Sequence, residues 1–159
     1  MDDTTRITPK MRVARELLTK ALEAYFDQAY FASIHLAGGA EEILGHYVSC
    51  LTGTENAFKS LQNAAVRISK LLDEEGDAST PKAILERMTY ARNRTKHIHS
   101  VDDDDIKFDP ELEPKDILNR AVTNYYHLMN YLPLDESELL RMFNSLRDDD
   151  SRFVEQDAP

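Results

Sequence analysis

The amino-acid sequence predicts an all-α fold, an up-and-down bundle of five main helices plus a short C-terminal helix. Apolar residues recur with the helical period of about 3.6 residues along nearly the whole chain, and no segment alternates apolar with polar residues as a strand does. Only five glycines and six prolines interrupt the 159 residues. A chain of this length is typical of a single domain, which we expect to occupy residues 1–150, with 151–159 as a frayed C-terminal tail.

The first three helices are predicted over residues 10–27, 29–51 and 55–72. Thr8 belongs to the residue types that cap helices, and Pro9 after it favours the first helical position. Gly53 follows the second helix, where a left-handed residue commonly ends a helix. Thr54 then provides a cap for the third helix, so the connections between these helices are short.

The last three helices are predicted over residues 82–98, 115–132 and 135–147. Ser79 or Thr80 caps the fourth helix, with Pro81 at its start. An acidic loop, "HSVDDDDIKFDPELEP", separates the fourth helix from the fifth. Pro133 ends the fifth helix because proline cannot donate the next backbone hydrogen bond, and a short sixth helix follows it.

Charge and cysteine content limit the classes of function. The chain has a formal net charge of −10, whereas a coat-like nucleic-acid binder is usually basic; a small basic site on an acidic body still fits. The single cysteine, Cys50, cannot form an internal disulfide, which suits a reducing compartment. No apolar run approaches the roughly 18 residues that span a bilayer. We therefore expect a cytoplasmic protein that does not enter the membrane.

One face of the second helix carries Gly38, Gly39 and Gly45. A glycine inside a helix costs about 1 kcal/mol relative to alanine, so a face in contact with water alone gains nothing from three of them. The glycines therefore predict close approach by another helix or by a second copy of the chain. The alternative is a kink at Gly38–Gly39.

His35, Glu42 and His46 share this face at a spacing that can build a metal site. Two histidines and one carboxylate leave such a site incomplete. We expect instead that Glu42 pairs with a cation or with His46, one turn further along. The prediction is therefore that the protein uses no metal and no cofactor.

The stretch "ARNRTKHIHS" at residues 91–100 concentrates cationic and titratable side chains in an acidic chain. These residues are Arg92, Asn93, Arg94, Lys96, His97 and His99. The structural explanation is that cations near a helix C-terminus offset the helix dipole. The functional explanation is phosphodiester chemistry, because arginine holds a phosphate and histidine transfers protons near neutral pH. A ribose 2′-hydroxyl then supplies the nucleophile, and no metal is required.

The spacing of Arg92 and His97 restricts how these two residues meet. They are five residues apart, roughly 140° around a continuous helix. Either the helix ends near Lys96, or two copies of the stretch converge across a two-fold axis. We expect a dimeric cleft bordered by the second and fourth helices.

The sequence "RNRTKH", from Arg92 to His97, resembles the R-N-x-x-x-H motif of the HEPN family of small helical domains. The segment "YFASIHLAGGAEEILGHYV" is similar to an earlier helix of that family. The resemblance covers about residues 10–132 and implies a metal-independent RNase, toxin-like or defence-like, with its cleft between two protomers. It further implies that Arg92 holds the phosphate, His97 transfers a proton and Asn93 orients a partner group, with Glu42 as an acidic residue against the motif.

Two features leave alternatives open. Toxin members of the family often have a tyrosine two residues after the histidine, where this chain has His99. Arg94 and His99 also satisfy the spacing, so either register fits the motif. Lys96, His35 and His46 are further candidates for supporting roles.

The partners implied by the resemblance are a second copy of the chain, RNA or a nucleotide, and a cognate antitoxin or nucleotidyltransferase. The alternative function is a non-catalytic HEPN-like dimerisation module that binds a nucleotide or a protein partner.

Overall fold

The computed structural model describes residues 8–72, 80–98, 100–102 and 105–156. It contains six α-helices and, within these ranges, no strand: α1 (Lys10–Phe26), α2 (Tyr30–Thr52), α3 (Ala57–Leu72), α4 (Pro81–Arg94), α5 (Leu112–Leu128) and α6 (Glu138–Gln156). The predicted all-α class is confirmed. None of the helices in the described part of the chain has both the length and the apolar character needed to cross a membrane.

The core lies between α1, α2 and α5. The first two helices form an antiparallel hairpin, in which the Ser33 hydroxyl donates to the Ala21 carbonyl at 2.9 Å. Helix α5 covers this hairpin with residues such as Leu118 and Leu128, which are fully buried. Phe143 of α6 completes the core and contacts the Tyr25 ring edge-on. These apolar contacts fix the position of α2, which carries three of the nine candidate site residues: His35, Glu42 and His46.

Helices α3 and α4 form a second layer beside α2 with far less buried surface. The buried side chains of α4 are those of Ile84 and Ala91. The buried side chain of α3 is polar: the Gln62 amide donates to the Pro81 carbonyl at 2.9 Å and joins the two helices. Exposed apolar residues such as Ile68 and Leu72 leave one side of α3 uncovered within the chain.

Two of the predicted helix boundaries are confirmed by their hydrogen bonds. The Thr80 hydroxyl accepts from the Ala83 amide at 3.2 Å, and Pro81 occupies the first turn of α4. Gly53 ends α2 in the left-handed conformation, with φ of 67°. Residue 79, the alternative cap, lies outside the described residues.

Two predicted caps are wrong. The residue before α1 is Pro9, so Thr8 lies one position too early, and no side chain caps this helix. Thr54 belongs to the end of α2, where its backbone amide donates to the Thr52 hydroxyl at 3.1 Å. Helix α3 is capped instead by Asn56, whose side-chain oxygen accepts from the Lys59 amide at 2.9 Å.

The ends of three helices, α4, α5 and α6, also differ from prediction. Helix α4 ends at Arg94 rather than residue 98. Helix α5 begins at Leu112 because the Asp109 carboxylate accepts from the amide of Leu112 at 3.1 Å, and it ends at Leu128. Helix α6 continues to Gln156, so residues 151–156 of the expected tail are helical, and 157–159 lie outside the described residues.

Candidate functional site at the end of helix α4

The side chain of Arg92 packs against the backbone of α2 at Gly38. A Cβ atom on Gly38 would lie 2.7 Å from Cδ of Arg92, and Nη1 of Arg92 donates to the Gly38 carbonyl at 3.5 Å. In the same way, Gly39 leaves room for the Leu17 side chain of α1, and Gly45 leaves room for the Asn56 side chain of the α2–α3 connection. The predicted close approach is therefore confirmed. The alternative, a kink at Gly38–Gly39, is wrong because α2 is continuous over residues 30–52.

The guanidinium of Arg92 is only partly satisfied by its neighbours. Its Nη1 lies 4.0 Å from an oxygen of Glu42, and the Glu42 side chain is 80% exposed, so this ion pair is weak. The Nε atom of Arg92 is buried and has no hydrogen-bond partner among the described residues. Glu42 does pair with a cation, as predicted. The guanidinium of Arg92, whose side chain is 28% exposed, is therefore not committed to a strong ion pair within the chain.

His35 contacts Thr95, the residue that directly follows α4. Its Nε2 lies 2.8 Å from the hydroxyl of Thr95, and that hydroxyl is 2.9 Å from the Ala91 carbonyl. A hydroxyl has one proton, so if Thr95 donates it to Ala91, it accepts from Nε2–H of His35. Burial, together with the positive charges of Lys96 and Arg92, lowers the pKa of His35 from its usual value of 6.5.

The end of α4 explains how the motif changes direction. The Thr95 hydroxyl bonds back to the Ala91 carbonyl, and the Lys96 amide turns to the Asn93 carbonyl at 3.2 Å, so the helix tightens and stops. His97 therefore follows the helix rather than lying on it. One of the two geometries that the spacing allowed, a helix that ends near Lys96, is therefore observed, and the convergence of two copies across a two-fold axis stays a prediction.

A cavity of about 470 Å³ lies between the first turns of α2 and the chain that follows α4. The residues that give it chemical character are Phe31, His35, Arg94, His97 and Asp105. Nη2 of Arg94 donates to the Asp105 carbonyl at 3.2 Å and so holds the α4–α5 connection against this cavity. Two imidazoles and a guanidinium thus border one cavity.

Arg92 and His97 do not share a cavity within one copy of the chain. Arg92 borders a separate, wider groove between α2, α3 and α4, together with Glu42 and His46, whereas His97 borders the smaller cavity with His35. The groove has a volume of about 1340 Å³. The structure therefore divides the candidate residues into two groups on either side of the α2–α4 contact.

Those of the remaining candidates that the structure describes, Asn93, Lys96 and His46, take no part in a common catalytic geometry within one copy. Asn93 is exposed, and its amide donates along α4 to the Thr89 hydroxyl at 3.4 Å, not toward the arginine or the histidine of the motif. Lys96 is exposed and acts on His35 through its charge. His46 contacts Cys50, with Nε2 and Sγ 3.4 Å apart. His99 lies outside the described residues, so the register of Arg94 with His99 stays a prediction.

The metal arrangement considered for α2 does not form. His35 is engaged with Thr95 at one cavity, whereas Glu42 and His46 border the other. In the described ranges, no group of three or more histidine, cysteine, aspartate or glutamate residues is placed to hold a metal ion.

The sequence analysis missed a buried ion pair in the wall of the wider groove, between Glu41 and Arg120. Nε of Arg120 lies 2.5 Å from a carboxylate oxygen of Glu41, and the two side chains are only 9% and 7% exposed. The Arg120 guanidinium also lies over the Phe58 ring, 5.5 Å from its centre. Burial raises the pKa of Glu41 even though Arg120 opposes this effect. The signal was present: an acidic residue inside an apolar helix and an arginine at a core position of α5.

Comparisons with family models, with curated proteins and with solved structures gave no match to this chain. The likeness to the HEPN family therefore stays a prediction that depends on the motif from Arg92 to His97 and on its helical surroundings.

Proposed function

We propose that the protein is a metal-independent endoribonuclease of the HEPN type whose site is completed by a second copy of the chain. Arg92 binds the scissile phosphate, and His97 transfers a proton. The observation that carries the proposal is the guanidinium of Arg92, which crosses α2 at Gly38 with Nε buried and unpartnered, three residues before the chain leaves α4 toward His97.

The chemistry of this site needs only groups that the chain provides. The 2′-oxygen of the substrate attacks the adjacent phosphorus, the bond from phosphorus to the 5′-oxygen breaks, and the products are a 2′,3′-cyclic phosphate and a 5′-hydroxyl. An arginine stabilises the charge that develops on the phosphoryl oxygens, and imidazoles transfer protons at the entering and leaving oxygens.

A second copy of the chain can bring together Arg92 and His97, which are separated within one copy. In a two-fold dimer the same surface occurs twice, so Arg92 of one copy can face His97 of the other. The surface around the smaller cavity has the apolar character that a dimer interface buries. Ile98 is 75% exposed there, and Ile106 is also exposed.

The register with Arg92 is preferred over the register with Arg94. Arg94 is engaged with the Asp105 carbonyl and holds the α4–α5 connection in place. The contacts of Arg92 with the Gly38 carbonyl and the Glu42 carboxylate are at 3.5 and 4.0 Å, and both distances are long for an arginine. Replacement of Arg94 by lysine is therefore expected to reduce cleavage less than replacement of Arg92 by lysine.

The test is cleavage of single-stranded RNA by purified, untagged protein in excess chelator. We expect the wild type to produce 2′,3′-cyclic phosphate ends and the His97→Ala variant to lose about 100-fold or more in rate. His127→Ala is the matched control, because His127 lies on α5, where its ring contacts Tyr131. Equal cleavage by the wild type and His97→Ala would remove the proposal.

A non-catalytic module is the second candidate. It is favoured by the observation that Arg92 and His97 border different cavities in one copy, and by the net charge of −10. Such a module would dimerise and bind a nucleotide or a protein, for example a cognate antitoxin or nucleotidyltransferase. Native mass spectrometry of the purified protein tests it: a retained nucleotide, together with no cleavage by the wild type, would favour this function over the first.

A further inference from the structure

The smaller cavity brings together two imidazoles that come from different parts of the sequence, His35 of α2 and His97 after α4. We propose that His35 is the general base that works with His97 as general acid, an inference that rests on the proposed ribonuclease function. The ligand class of this cavity is a single nucleotide unit of RNA with its phosphate. The motif alone provides one histidine for two proton transfers, and His35 provides the second.

The contact with Thr95 selects the form of His35 that a base requires. The Thr95 hydroxyl is within hydrogen-bond distance of the Ala91 carbonyl, which can only accept, so its own oxygen is left to accept from His35. Nε2 of neutral His35 then carries the proton, and Nδ1 keeps the lone pair. A hydroxyl of the helix terminus thus acts as the group that fixes the tautomer of a catalytic imidazole.

The charges around His35 favour its neutral form. Arg92 and Lys96 act on it from α4 and the residues after it, and Arg94, His97 and Asp105 border the same cavity. Partial burial adds to the effect of the cations, and the pKa of His35 falls below its usual value of 6.5. A neutral imidazole near pH 7 can remove a proton, while a cationic surrounding attracts the phosphate.

The step that follows is balanced without a metal or an oxidant. Nδ1 of His35 takes the proton from the 2′-hydroxyl as the 2′-oxygen bonds to phosphorus. The imidazolium of His97 gives its proton to the 5′-oxygen as that oxygen leaves. His35 ends protonated and His97 neutral, and exchange with water restores both.

The walls of the cavity fit a nucleotide. Its volume of about 470 Å³ lies within the range of small-ligand sites. The Phe31 ring forms part of the wall, is 46% exposed, and is supported by the Phe108 ring at 6.4 Å. An exposed aromatic ring of this kind can stack on a base of single-stranded RNA without sequence preference.

A purely structural role for His35 makes different predictions. If the contact with Thr95 serves only to join α2 to α4, His35 would not respond to a nucleotide and would not appear in a pH–rate profile. The two roles can therefore be separated by measurements on the full chain.

The first measurement is NMR of protein labelled with ¹⁵N-histidine, with chelator present and adenosine 3′-monophosphate as the probe. We expect the ¹⁵N shifts of His35 to report the Nε2–H tautomer, and the probe to shift the signals of His35 and His97 but not of His127. A response of His97 alone, or of neither, would overturn the proposal. Inorganic phosphate as a second probe distinguishes binding of phosphate from recognition of the whole nucleotide. Of these two, only recognition of the whole nucleotide requires Phe31.

The second measurement is the pH dependence of kcat/KM for RNA cleavage by the wild type, His35→Gln and Thr95→Val. His35→Gln is expected to lose about 100-fold in rate and the acidic limb of the profile, and Thr95→Val to shift that limb. Thr95→Ser keeps the hydroxyl and should restore the limb. Absence of cleavage by the wild type would remove the ribonuclease function together with this role. Cleavage that is unchanged in His35→Gln would remove only the role of His35.

Discussion

The Gly38→Ala variant is expected to displace Arg92 while leaving α2 folded. The added Cβ atom would lie 2.7 Å from Cδ of Arg92 and 3.1 Å from its Nη1, both shorter than an unstrained contact. The atoms in its way belong to a long side chain that is 28% exposed, so the side chain moves rather than the helix. The guanidinium must then leave its position against the α2 backbone.

The expected change in the free energy of unfolding is small. Alanine gains about 1 kcal/mol over glycine inside a helix, and the lost packing of the Arg92 side chain offsets a similar amount. The net change is therefore less than about 1 kcal/mol in either direction. The effect on RNA cleavage is larger, because displacement of the arginine that binds the phosphate lowers kcat/KM by about 10-fold or more.

The assay combines urea unfolding, the NMR signal of the Arg92 Nε–H group, and RNA cleavage. Gly39→Ala is the matched control: it gives the same helix propensity, but its new Cβ atom faces Leu17 at 3.1 Å and does not contact Arg92. The reasoning is refuted if Gly38→Ala leaves the Arg92 Nε–H signal in place and stabilises the protein by the full propensity gain of about 1 kcal/mol.

Three further predictions concern stability. Glu41→Ala leaves the Arg120 guanidinium buried without its partner and should cost about 3–5 kcal/mol in urea unfolding, whereas Glu41→Leu combined with Arg120→Met should recover most of this loss; equal losses in both would contradict the reasoning. The native state holds fewer protons on His35 than the unfolded state, because the pKa of His35 is lowered when the chain folds. The wild type should therefore gain stability relative to His35→Gln as pH rises toward 6.5 and keep it above, and a pH-independent difference in unfolding free energy would be inconsistent with this. Thr80→Ala should lower stability by about 1 kcal/mol in thermal unfolding and Thr80→Ser by much less, unless the hydroxyl of Thr80 does not cap α4.

Local signals in the sequence were sufficient for much of the fold. The helical period and the proline and glycine positions predict six helices, and the Thr80 cap and the Gly53 terminus are both observed. The errors in the predicted helix boundaries occur where residues distant in the sequence determine where a helix begins or ends. The amide of Ala57, at the start of α3, is satisfied by the Asn124 side chain from α5 at 2.9 Å, a partner that no local pattern can reveal.

The candidate site was predictable only in part. Gly38 of α2 and Arg92 of the motif were each identified from the sequence, but the contact between them depends on how α2 and α4 pack against each other. The same docking determines that Arg92 faces the wider groove and that His97 faces the smaller cavity. The role of Thr95 was missed because its two bonds, to Ala91 along the helix and to His35 across it, require the folded chain.

Complementation between two inactive variants tests the central claim most directly. Arg92→Ala and His97→Ala are purified separately, mixed, unfolded and refolded together, and assayed for RNA cleavage in chelator. If each site takes Arg92 from one copy and His97 from the other, half of the dimers are mixed and each mixed dimer has one intact site. The account then predicts about one quarter of the wild-type rate. A mixture that stays at the background of the separate variants, while refolded wild type is active, would contradict it.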